Sequence, residues 1–147
     1  MPDQLAARAA ELNLPALALT DRDTVAGAVR FAQACAKAGV RPVFGADLAV
    51  PLLAPTAATV TAARRRTPAR GGAFVDESAP RVTVLARDGA GWANLCALIT
   101  AAWAARAEAG GGQPVVPWTA LRRHAEGLTV LLGPASEPVL ALSAGRP

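Results

Sequence analysis

An α/β fold with a mainly parallel sheet is what the apolar pattern of this chain predicts, on three observations. The short continuous apolar run ALALT (16–20) has the character of a strand covered on both faces, and RVTVLA (81–86), rich in β-branched residues, and LTVLL (128–132) read as strands too. Segments of helical period separate them, with apolar residues three and four apart. Glycine, proline or asparagine punctuates most junctions. Apolar residues at 52% and charged residues at 18% of 147 positions fit one packed domain rather than a disordered chain.

The elements follow in order. Asp3 to Leu12 is predicted helical, with Leu5, Ala9 and Leu12 on one face. Asn13 can stop it in the left-handed conformation, and Pro15 prevents its return. The strand Ala16 to Thr20 ends in a polar turn, Asp21-Arg22-Asp23-Thr24. A helix from Val25 to about Lys37 follows, its expected stripe being Val25, Val29, Ala32 and Cys35 or Ala36, closed by Gly39. Arg41 to Val50 is the next strand. Residues 51–80 are rich in Ala, Pro, Arg and Gly without a period, which predicts a low-complexity loop. After the strand Arg81 to Ala86, Asp88 opens a turn into a long helix with Trp92, Leu95, Ile99 and Trp103 as its expected buried stripe. Gly110-Gly111-Gly112 breaks the chain before a short helix, Thr119 to His124. The strand Leu128 to Leu132 and one helical turn over Pro138 to Leu142 complete the series.

Composition excludes several functions. Cys35 and Cys96 stand far apart with no CxxC partner, so neither a zinc knuckle nor a disulfide framework is expected, and both read as buried thiols. No basic-then-apolar leader is visible at the N-terminus. The longest apolar run, Leu95 to Ala105, falls short of the roughly 20 residues that span a bilayer. A cytoplasmic protein with no membrane contact is expected. No GxGxxG, Walker A or GxSxG motif is present. The net charge of +4 permits phosphate contact, and Arg64, Arg65, Arg66 and Arg70 form a candidate nucleic-acid-binding run. A solvated loop explains the same run without a ligand.

In parallel α/β folds, chemistry gathers where strands end. Asp21 directly follows ALALT, and Asp47 lies near the end of the next strand, so the two carboxylates are the candidate metal ligands of one cleft. Against this, Asp23 or Thr24 can cap the following helix, and Asp21 can pair with Arg22. His124, the one histidine, sits at a helix end where a cation suits the dipole. One imidazole and two aspartates are a poor set for a catalytic metal cluster, so no catalytic residue is assigned.

Leu12 to Val50, with Thr20-Asp21-Arg22, Gly27 and Gly45-Ala46-Asp47, resembles the PHP (polymerase and histidinol phosphatase) domain of C-family bacterial DNA polymerases. Arg81 to Thr100, with its Gly-Trp turn and Asn94-Leu95, is similar to the same family, as is Trp118 to Gly133. The flavour is closest to the error-prone polymerases, with the replicative alpha subunit as the other parent. The resemblance implies an incomplete PHP-type (βα) barrel, truncated at both ends. The family's His-x-His strand would precede residue 1, and further histidine-bearing strands would follow Pro147. The family's histidine after Asp21 is Arg22 here, a fixed positive charge in a metal pocket. The resemblance therefore implies a non-catalytic module of a replication or translesion polymerase. Asp21 and Asp47 are then vestigial ligands, with Mn or Zn bound only if that site is occupied. The implied partners are other parts of the polymerase holoenzyme, with DNA met indirectly. A metal-dependent phosphoesterase or 3′–5′ exonuclease, and a basic nucleic-acid-binding module, are the alternatives.

Overall fold

The computed structural model describes residues 2–52, 66–68, 74–76 and 79–143. Its elements are α1 (Pro2–Glu11), β1 (Ala16–Arg22), α2 (Ala28–Ala38), β2 (Arg41–Ala49), β3 (Arg66–Pro68), β4 (Phe74–Asp76), β5 (Arg81–Ala86), α3 (Gly89–Glu108), α4 (Trp118–Arg123), β6 (Leu128–Leu131) and α5 (Glu137–Ser143). The main sheet has the order β1-β2-β5-β6, and β3 and β4 pair as a separate antiparallel hairpin within the stretch expected to be loop.

Among the described strands only β1 and β2 run parallel, joined by α2 as a right-sized crossover. β5 is antiparallel to β2, and β6 is antiparallel to β5. The expectation of a mainly parallel sheet is thus corrected, and the four strands of the main sheet form an open sheet rather than a closed barrel. The physical reason lies in the connections. A single helix between strands returns the chain to its starting end and gives a parallel pair. Both α3 and α4 lie between β5 and β6, and the extra pass reverses the direction of the second strand.

The sheet is also covered differently from the expectation of helices on both faces. Partnered residues in neighbouring strands point the same way, so the register Leu19↔Phe44, Ala46↔Val84 and Leu48↔Val82 defines one face. Both apolar clusters lie on it. Leu17, Leu19 and Phe44 pack against Ala6 of α1 and Phe31, Ala34 and Cys35 of α2. Ala46, Leu48, Val82 and Val84 pack against Leu95, Leu98 and Ala102 of α3. Phe44 joins the two, edge-on to Phe31 at 6.2 Å and to Trp92 at 5.5 Å between centroids. Ala18, on the other face, is exposed.

The helices form where expected but are rotated. α1 buries Ala6 and Ala9, while Leu5 and Leu12 are exposed. α2 begins at Ala28, not Val25, and buries Ala28, Phe31, Ala34 and Cys35. Phe31 is the largest apolar side chain of that helix, and its burial outweighs that of Val29, which is exposed. α3 buries Gly91, Leu95, Leu98 and Ala102, leaving Trp103 partly in solvent. Cys35 is buried, which pushes its thiol pKa up, whereas Cys96 is only half-buried. Asn13 at φ 55° and Gly39 at φ 69° take the left-handed conformations expected of helix stops.

The start of α3 is pinned to the turn before β6. Asp88 accepts a hydrogen bond from the Gly91 N–H at 2.8 Å. A Cβ on Gly91 would stand 2.0 Å from the carbonyl oxygen of Gly127, which is itself at φ +70°. Gly91→Ala is expected to lower stability by about 1–3 kcal/mol through this overpacking, read as a reduced denaturation midpoint. Gly89→Ala, where the added methyl meets nothing within 4 Å, is the control.

Candidate functional site

Asp21 and Asp47 do end neighbouring strands, but the register separates them. Asp21 is partnered with Ala46, and Asp47 with Arg22. Successive side chains alternate across a strand, so Asp21 points to the helix-covered face and Asp47 to the opposite one. The single cleft holding both carboxylates is not formed. Asp21 lies in an open depression with Leu5, Leu19, Gly27 and Arg30. Its carboxylate sits against Gly27, where a Cβ would come within 2.5 Å of Oδ2.

Asp47 belongs to a cluster that sequence reasoning did not assemble. Arg81, the first residue of β5, is buried with its side chain 4% exposed. Its Nε donates to Asp47 Oδ2 at 2.6 Å. Its Nη2 donates to Asp23 Oδ1 at 2.8 Å and to the Asp47 carbonyl at 2.5 Å. Pairing of Ala49 with Arg81 brings β5 to the end of β2, two residues beyond Asp47 and on the same face. Asp23 reaches the cluster because it turns out of β1 at φ 57°, a conformation Asp tolerates. Its N–H donates to the Asp47 carbonyl at 2.9 Å, and its own carbonyl accepts from Trp103 Nε1 at 2.9 Å. The Asp23 side chain therefore pairs with Arg81. The helix-capping role predicted for Asp23 or Thr24 is not taken up, because α2 has no side-chain cap and Thr24 Oγ1 accepts within the turn, from Ala26 N–H.

Arginine placed first in an otherwise apolar strand was the available signal, since a guanidinium entering a core requires acids nearby. One Arg81 donor atom, Nη1, is buried without an acceptor among the described residues.

The other candidates lie elsewhere. His124 Nδ1 is 3.0 Å from Asn94 Oδ1, and Asn94 Nδ2 donates to the Glu126 carbonyl. This joins α4 to α3 at the end of the sheet where Ala86 pairs with Leu128. The two ends of β5 are roughly 17 Å apart, so His124 is remote from Asp47. Arg64, Arg65 and Arg70 lie outside the described residues, and Arg66 opens β3. Among the described residues no three or more His, Cys, Asp or Glu side chains gather as metal ligands, and no helix is long and apolar enough to cross a membrane.

A model of the PHP domain matches residues 1–144. DNA polymerase III subunit alpha of Caulobacter vibrioides is 33% identical over 144 residues, covering 97% of this chain and 11% of that protein. The error-prone DNA polymerase of Mycobacterium tuberculosis H37Rv is 40% identical over 126 residues, covering 86% of this chain and 10% of that protein. DNA polymerase III subunit alpha of Xylella fastidiosa Temecula1 is 34% identical over 143 residues, with 97% and 10% covered. The chain thus spans about a tenth of the length of the curated relatives it matches. With the blocks around Asp21, Asp47 and Asn94 all inside the matched span, the chain belongs to the PHP domain family.

Proposed function

We propose that this chain is a non-catalytic PHP module of a bacterial C-family DNA polymerase, working in the cytoplasm as a structural part of replicative or error-prone synthesis. One observation carries the reading: the guanidinium of Arg81 holds the carboxylates of Asp23 and Asp47. A phosphoesterase of this family would need carboxylates and imidazoles free to ligate metal. Here Asp21 lies on the opposite face of the sheet from Asp47, His124 is hydrogen-bonded to Asn94, and Asp47 is neutralised by an arginine that does not lose its charge. Arg22 stands opposite Asp47 in the register, adding a second fixed positive charge on that face. Among the described residues no set of side chains fits a catalytic metal cluster. The polymerase relatives, of which this chain matches about a tenth, support docking to other polymerase parts as its role, with DNA met indirectly.

Purified protein incubated with Mn²⁺ or Zn²⁺, desalted and analysed by mass spectrometry is expected to retain no stoichiometric metal. It is expected to hydrolyse neither p-nitrophenyl phosphate nor a 3′-labelled single strand above background. Metal-dependent turnover that disappears in EDTA would overturn the reading.

A further inference from the structure

We propose that Arg81 is a resident cation, occupying the place a divalent ion would take between Asp23 and Asp47 and making this end of the sheet independent of metal. The inference rests on the non-catalytic reading above and adds what fills the site.

Three oxygens converge on this one guanidinium: Asp23 Oδ1, Asp47 Oδ2 and the Asp47 carbonyl. They come from the turn after β1 and from β2, while the cation comes from β5. Carboxylate and carbonyl oxygens arranged in this way are the ligand chemistry of hard divalent cations, which complete their shells with water. The guanidinium is an imperfect occupant. Its Nη1 is buried with no acceptor among the described residues, although buried arginine donors are ordinarily satisfied. The oxygens therefore match a positive charge better than they match the full fork of an arginine. The cation also supports more than the pair. Asp23 passes the restraint to α3 through its carbonyl and Trp103 Nε1, so one charge ties β1, β2, β5 and α3 together.

The test is thermal unfolding of the full chain and of Arg81→Met, each in EDTA and in millimolar MnCl₂ or MgCl₂. Methionine keeps an unbranched apolar stem out to about the position of Nε while removing the charged group. Wild type is expected to melt at the same temperature in both conditions. Arg81→Met is expected to melt lower in EDTA and to recover roughly 5 °C when metal is present at about a hundred times its dissociation constant. Arg81→Met/Asp47→Asn is expected to lose that recovery. If Arg81→Met is unfolded in EDTA, far-UV circular dichroism reads the same outcome: folding on addition of Mn²⁺ supports the proposal, and no folding overturns it. Absence of metal rescue in Arg81→Met, rescue that persists with Asp47→Asn, or an equal metal shift in wild type each overturns it as well. Metal-dependent phosphoester hydrolysis by wild type would instead end the non-catalytic reading, a separate failure.

Discussion

Asp23→Asn/Asp47→Asn is expected to lower the unfolding free energy by about 3–5 kcal/mol and the melting temperature by roughly 10 °C. Asparagine keeps the size of each side chain and an oxygen to accept from Arg81, so the loss is one of charge. Asn also tolerates the left-handed conformation that Asp23 adopts at φ 57°, so the backbone adds no penalty. What remains is a guanidinium whose side chain is 4% exposed, with no carboxylate against it in the cluster. It cannot escape by deprotonating, because a guanidinium keeps its charge in any protein setting. Removing one side of a buried pair is costly for this reason, whereas removing both sides is often nearly neutral. Adding Arg81→Met to the double variant is therefore expected to restore most of the stability in EDTA. Asp47 is 30% exposed and partly screened, so Asp23→Asn alone should account for the larger share. A double variant that melts within about 2 °C of wild type would show that the guanidinium is not held by these charges.

The elements were legible because hydrophobic period and breakers act locally. Residues 81–86 and 128–131 are strands as expected, Asn13 and Gly39 stop their helices, and Gly110 to Gly112 follow the end of α3. What was not legible depends on partners distant in sequence. Asp21 and Asp47 look equivalent as strand-end carboxylates, yet a register offset of one residue sends them to opposite faces. The direction of β6 turns on whether the short α4 adds a pass of the chain, which no local pattern specifies. Arg81 lies 58 positions from Asp23, so their pairing exists only once β5 has docked beside β2. The PHP resemblance was legible from motif order. The state of the site was not, because it depends on which cation reaches Asp47 in the folded chain.

The rotated stripe of α2 supplies the second large prediction. Phe31→Ala is expected to cost about 3–5 kcal/mol, and Val29→Ala, on the same helix, less than about 0.5 kcal/mol. Both positions have helical spacing from neighbouring apolar residues, but their surroundings differ. Phe31 is fully buried, while Val29 is 69% exposed. The buried residues clustered with Phe31 on the helical side are small, Ala6, Ala34 and Cys35, and alanine side chains have no rotamers with which to close a cavity, so any collapse would have to come from Leu17, Leu19 and Phe44 of the sheet. The lost ring also removes the edge-on contact to Phe44, worth about 0.5–1.5 kcal/mol beyond its area. Because Phe44 in turn contacts Trp92, the tryptophan emission should report the change, with a red shift as the ring gains solvent. Chemical denaturation followed by that emission gives both free energies. A Phe31→Ala loss no larger than that of Val29→Ala would place the buried stripe of α2 on the wrong side of the helix.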